Sequence, residues 1–127
     1  MKALLDTHTF LWAITNDSKM SRRAQQVFTG PNDLWLSAAS VWEIILKAQR
    51  SRLPLPTPVG PYILKKLSEN NIEILPIGLD HVLLLESLPL HHSDPFDRIM
   101  IAQSMHEKLP LVSADSLFAS YEVEVIW

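Results

Sequence analysis

The stretch Ala3-Leu4-Leu5-Asp6-Thr7-His8-Thr9-Phe10-Leu11 carries the decisive signal for the fold. Three apolar residues stop at a carboxylate, and apolar residues at helical spacing follow at once, Phe10, Leu11 and Ile14. A strand this short and this apolar is covered on both faces, and Thr7 is placed to cap the helix behind it. The same alternation continues outward. Ser21 to Thr29 reads as a helix stopped by Gly30-Pro31, and Asp33 to Leu36 as a strand. Ser37 then caps a helix with the stripe Val41, Ile44, Ile45 and Ala48. Arg50 to Pro61, with four prolines and Gly60, reads as a loop. A helix over Pro61 to Asn70, a strand over Ile72 to Leu75 and a helix over Leu79 to Leu88 follow. Asp94-Pro95 opens another helix as N-cap and first-turn proline. Strands at Leu111 to Ser113 and Glu122 to Trp127 close the chain. Short apolar strands alternating with helices predict an α/β fold of three layers, a central, mostly parallel sheet flanked by helices. The length, 127 residues, suits a single domain over 1–127.

Composition narrows the chemistry. Hydrophobic residues make up 47% and charged residues 20%, which is globular rather than disordered. The formal net charge of −3 argues against a general nucleic-acid coat but leaves room for a local basic rim, for which Arg22-Arg23 and Arg50/Arg52 are candidates. With no cysteine, disulfide scaffolds, zinc–thiolate sites and thiol catalysis are excluded. Met1-Lys2 leads straight into the first strand and no apolar run approaches the ~18 residues of a membrane span, so a soluble cytoplasmic protein is expected.

The acidic residues fall at junctions. Asp6 ends the first strand, and Asp115 lies two residues past the Leu111–Ser113 strand. The carboxyl ends of parallel strands line the ligand crevice of an open α/β sheet, so both are candidates for one site. Asp94 and Asp97 occupy the N-cap and third positions of one helix. Asp94 reads first as a cap, whereas Asp97, on the first turn, can face the crevice. Glu43 lies close to an apolar stripe, with Lys47 four residues on; a helix-surface ion pair is the plain reading and a buried functional carboxylate the other. At ~6 Å and an effective dielectric of ~20, each pair of like charges repels by roughly 2–3 kcal/mol. Such a cluster neutralises itself or takes a cation, and all-oxygen ligands favour Mg²⁺ or Mn²⁺, ions suited to phosphodiester hydrolysis.

Five segments, Leu4-Leu5-Asp6-Thr7-His8, Ser37 to Ile44, His92-Ser93-Asp94-Pro95-Phe96-Asp97-Arg98, Ile101-Ala102-Gln103 and Val112-Ser113-Ala114-Asp115, stand in this order. Together they resemble the PIN-domain ribonucleases, specifically the VapC-type toxins of type II toxin–antitoxin systems, nearly from end to end. The resemblance implies a Mg²⁺- or Mn²⁺-dependent endoribonuclease that is masked by a cognate antitoxin protein and forms a homodimer. It implies Asp6 and Asp97 as principal metal ligands, with Glu43 and Asp115 completing the catalytic set. Asp94 remains an alternative ligand; Asp97 is preferred because it stands five residues before Ala102, as the family's helix motif requires. Ser113 matches the family's hydroxyl residue two places before the last acid, and its hydroxyl is able to bond a neighbouring carboxylate.

Around the acids, Thr7, Lys47, His92 and Arg98 are candidate RNA contacts. For each there is a plainer reading: helix capping for Thr7 and salt bridging for Lys47 and Arg98. His92 touches phosphate, gives a proton to the leaving oxygen, or does neither. His8 reads as a partly buried packing residue. Two other functions compete. In a phosphoaspartyl phosphatase Asp6 would be the nucleophile, but His8 stands where that chemistry needs a second Asp. A non-catalytic docking module gains nothing from mutually repelling acids.

Overall fold

The computed structural model describes residues 1–50 and 53–127; Arg52 of the candidate basic rim lies outside the described residues. Five strands form one sheet, β1 (Lys2–Leu5), β2 (Asp33–Ser37), β3 (Ile72–Leu75), β4 (Leu111–Val112) and β5 (Val125–Ile126). Their spatial order is β3-β2-β1-β4-β5 and all four pairings are parallel, so the mostly parallel sheet expected is wholly parallel. Among the described residues six α-helices connect them: α1 (Thr7–Ile14), α2 (Arg22–Thr29), α3 (Ala38–Gln49), α4 (Val59–Glu69), α5 (Leu79–Leu84) and α6 (Pro95–Glu107).

Strand periodicity divides the apolar residues into two cores. Ala3, Leu5, Leu34, Leu36, Val112 and Ile126 face one way, where they meet Phe10 and Leu11 of α1, Ala24 and Val27 of α2, Ile44 of α3, and Ile63 and Leu67 of α4. Leu4 and Leu111 face the other way, against Met100 and Ile101 of α6 together with Phe118 and Tyr121. Three layers follow from this split, as the alternation of elements predicts.

Most boundaries follow local chemistry. The hydroxyls of Ser21 and Ser37 accept the amides of Ala24 and Ala39 as caps. Thr7 does not cap; it is the first residue of α1, and Asp6 holds the N-cap position without a capping side-chain bond. Helix α4 starts at Val59, two residues before the expected start, because Pro61 in a first turn owes no amide to the helix. The helix expected through Leu88 ends as α-helix at Leu84 and tightens into a 3₁₀ turn over Leu85–Ser87. An α-helix would hand the Leu85 carbonyl to residue 89, which is a proline with no N–H. The last strand is shorter than Glu122 to Trp127 because its partner β4 offers only Leu111 and Val112 for pairing.

Arg98 supplies what Pro89 withholds. Its guanidinium donates to the carbonyls of Leu85, Leu88, Pro89 and His92 at 3.3, 3.2, 2.9 and 3.4 Å. The segment leading into α6 is thereby pinned to that helix's first turn. Arg98→Lys keeps the charge but not the planar fork. It is expected to cost about 1.5–3 kcal/mol in urea unfolding, the range for bonds to a charged donor. An unchanged midpoint would show that the clamp is not holding the loop.

Candidate functional site

Sheet order places the reversal of connection between β1 and β4, and ligands of open α/β sheets sit at such a point. Past β1 the chain turns into α1, which packs in the first core; past β4 it reaches a 3₁₀ turn over Ser116–Ser120, whose Phe118 packs in the second. The two exits diverge and leave a cleft of about 330 Å³ lined by Asp6, His8, Trp12, Ala114 and Asp115.

Ser113 ties the two rims of this cleft together. Its buried hydroxyl donates to Asp6 Oδ2 at 2.7 Å and accepts the amide of Asp115 at 3.1 Å. Asp6 is itself buried, and burial pushes its carboxyl above the ordinary range; the Ser113 bond and His8 pull it back, and Glu43 adds to the rise.

Glu43 reaches the site from α3. It is buried, and Lys47 meets its Oε2 at 2.7 Å, so the ion pair read from the sequence exists, but against a buried carboxylate. Helix α3 also touches the start of α6, where Trp42 meets Phe96 edge-on with ring centroids 4.9 Å apart. Asp94 caps α6, its Oδ1 accepting the amides of Phe96 and Asp97 at 2.8 and 3.1 Å. Asp97 has its carboxyl pushed up to about 7, first by burial and then by Asp94, Asp6 and Glu43, against a smaller opposing pull from His92. The charge of Glu43 therefore reaches both Asp6 and Asp97, and that of Asp6 reaches Asp97, although Asp6 and Asp97 stand 91 positions apart in sequence. Asp115 joins them from β4 by lining the cleft with Asp6.

The four candidate RNA contacts are engaged elsewhere. Thr7 is buried and donates to Ser40 Oγ at 2.8 Å. Lys47 neutralises Glu43 and Arg98 holds backbone carbonyls, so neither guanidinium nor ammonium is free for phosphate in this conformation. His92 is buried and bonds Asp115 and Tyr121. His8 is exposed rather than packed, its ring tilted against Trp12 at 5.9 Å. Sequence reasoning missed Tyr121 and Ser40, since no local pattern marks a hydroxyl whose partner lies 29 or 33 positions away.

Among the described residues, one group of three brings possible metal-ligand atoms within 4.8 Å of one another, His81, His106 and Glu107, and it lies outside the acidic crevice. Its spacing could hold an ion, but its hydrogen bonding opposes one. His81 Nδ1 accepts the amide of Gly78 at 2.9 Å, which leaves the ring proton on Nε2, facing Glu107 Oε2 at 3.5 Å. A protonated nitrogen is no ligand.

The crevice, its acids and the parallel order define the class. The chain belongs to the PIN domain family, whose family model matches residues 3–124. Ribonuclease VapC22 of Mycobacterium tuberculosis is 29% identical over 121 residues, covering 93% of this chain and 90% of that protein. The fold is also that of VapBC2 from Rickettsia felis, solved bound to a DNA fragment from their promoter, with a TM-score of 0.68 and 15% identity over 98% of this chain and 97% of that one. VapBC-5 of Mycobacterium tuberculosis, a member of the VapBC family of toxin–antitoxin systems, matches with a TM-score of 0.62 and 17% identity over 98% and 96% of the respective chains. No helix among the described residues is long and apolar enough to cross a membrane.

The raised carboxyl of Asp97 sets a pH dependence. Its ordinary value is 3.8 and its folded value about 7, so over that interval the native state binds the extra proton. The stabilisation is fully present below the unfolded value and is lost as pH rises through the folded one. In EDTA, the urea midpoint of the wild type should fall between about pH 4 and about pH 7 and level off above that. Asp97→Asn should show a shallower fall and be the more stable protein at the upper end. Parallel slopes would remove Asp97 as the source.

Proposed function

We propose that this chain is a divalent-metal-dependent endoribonuclease, the toxin of a toxin–antitoxin pair, acting on RNA in the cytoplasm. The observation that carries the reading is the crowding of negative charge at the strand switch point: Asp6 at the end of β1 and Glu43 of α3 both add to the rise of Asp97 in α6, which burial and its acidic neighbours drive to about 7. A fold that only docked a partner would gain nothing from this charge.

The donor set fits a hard cation. It is all oxygen and it carries excess negative charge; among the described residues Lys47 is paired to Glu43 and the His92 ring to Asp115, which leaves Asp6 and Asp97 without a basic side chain bonded to them. Asp6 and Asp97 would hold Mg²⁺ or Mn²⁺, with Glu43, Asp115 and, less directly, Asp94 around them. Such an ion supplies Lewis acidity, activating water and neutralising phosphate oxygens. The chain's own contribution is orientation. Ser113 fixes which oxygen of Asp6 is engaged, and Asp94 holds the first turn of α6 so that Asp97 enters from a rigid helix end. The relatives' names support an antitoxin partner, and a homodimer is the expected assembly.

Purified wild type, Asp97→Asn and Asp94→Asn, assayed for RNA cleavage with Mg²⁺ or Mn²⁺ and then with EDTA, test the reading. Asp97→Asn should abolish cleavage with the fold intact. Asp94→Asn should be milder, because Asn is itself a good N-cap. Cleavage that persists in EDTA or in Asp97→Asn overturns the mechanism. A wild type that cleaves nothing but binds a small protein tightly would be a docking module.

A further inference from the structure

We propose that His92, backed by Tyr121, is a positioning residue that fixes the Asp115 carboxylate at the rim of the crevice; the proposal rests on the nuclease reading above. Asp115 needs fixing. Its side chain is 43% exposed, and a carboxylate at that exposure is free to turn into solvent unless something holds it. Both of its oxygens are held here. Oδ1 accepts the amide of Leu117 at 3.0 Å, and Oδ2 meets His92 Nε2 at 2.9 Å. Each oxygen keeps a further lone pair, so the two bonds orient the group without exhausting it.

The imidazole is locked from every side. His92 is 8% exposed, stacked on Phe118 with centroids 4.5 Å apart and on Tyr121 at 5.5 Å. The Tyr121 hydroxyl oxygen accepts the backbone N–H of His92 at 2.8 Å and stands 3.0 Å from Nδ1. The direction of the bond to Asp115 follows from its acceptor. An ionised carboxylate has no proton to give, so an unprotonated Nε2 at 2.9 Å would set lone pair against lone pair. Nε2 therefore carries the proton and donates it to Oδ2. In the neutral ring Nδ1 is then the acceptor, and Tyr121 is placed to supply its hydroxyl proton. One chain of contacts runs from Tyr121 through His92 to Asp115, and from the Asp115 amide through Ser113 to Asp6. A buried histidine serving packing alone could satisfy Nε2 on a backbone carbonyl. This one spends it on a carboxylate that lines the cleft.

The test is a double-mutant cycle of His92→Leu and Asp115→Asn, with His92→Gln and Tyr121→Phe beside it. It is read by Mn²⁺ affinity from the electron paramagnetic resonance of free Mn²⁺, by kcat and KM for RNA cleavage in Mg²⁺, and by thermal melting. His92→Leu should weaken Mn²⁺ binding or kcat about 10- to 100-fold, the loss usual for partners that orient ligands, with KM little changed. Placed on Asp115→Asn it should add no further loss, since the residue it acts through is already altered. His92→Gln, which carries an N–H near the position of Nε2, should recover much of the activity. An equal loss from His92→Leu in both backgrounds overturns the proposal. If His92→Leu does not fold, the cycle run with Tyr121→Phe decides by the same criterion. A wild type that neither binds Mn²⁺ nor cleaves RNA overturns the nuclease reading, and this proposal with it. An active wild type with an additive cycle overturns this proposal alone.

Discussion

Ser113 Oγ donates to Asp6 Oδ2 at 2.7 Å across the gap between β1 and β4, and the site is arranged around that bond. The two strands are still paired at Leu5 and Val112, one residue before the carboxylate and the hydroxyl. Beyond that rung the chain departs to opposite faces, so no further backbone bonding can close the gap. The amide of Asp6 is already used on Val112 O at 3.0 Å, and Thr9 Oγ1 takes the same carbonyl at 2.9 Å. Side chains must satisfy what remains, and a serine hydroxyl suits the place because it can donate to a carboxylate while accepting an amide. An alanine there would leave Asp6 buried without its donor.

Gathering carboxylates is the opposite of what a folding protein otherwise does, and the surrounding structure absorbs the cost. Burial raises both Asp6 and Asp97 above their ordinary range, a penalty carried whenever they are ionised. The offset comes from the rest of the fold. Both faces of the sheet bury apolar side chains, three helices have side-chain N-caps, and the Arg98 guanidinium binds the loop that delivers α6. The crowding of buried acids falls at the strand ends, which is where function is expected to override stability.

Legibility in the sequence followed the range of the interaction. The strand at Leu4, the cap at Ser37 and the helix opening at Asp94-Pro95 are set by neighbours within four residues, and each stands where the pattern predicts. The sheet could be read as parallel because apolar runs too short to alternate must be covered on both sides. The ends of elements were harder. Leu85 to Leu88 carries apolar residues enough for a helix, yet one missing N–H at Pro89 ends it, and the replacement donor sits at Arg98. The acids could be listed from their junction positions, but their partners could not. Lys47 was visible at i+4 from Glu43, whereas Tyr121 and His92 find Asp115 only through the packing of the second core.

Asp94 and Asp97 show how two identical side chains on one turn acquire different chemistry. Asp94, at the N-cap, collects the amides of Phe96 and Asp97 on a single oxygen. The amide of Asp97 is thereby consumed, and the next one, on Arg98, goes to the Asp94 carbonyl at 3.1 Å. None of these three amides is left for the Asp97 carboxylate, which lies half-buried beside Asp94, Asp6 and Glu43. Its high proton affinity follows from burial first, and then from the charges of Asp94 and Asp6. A buried group that holds a proton near neutrality among other carboxylates is one whose proton a divalent cation can replace, and Asp94, having taken the helix end, supplies part of that negative surrounding.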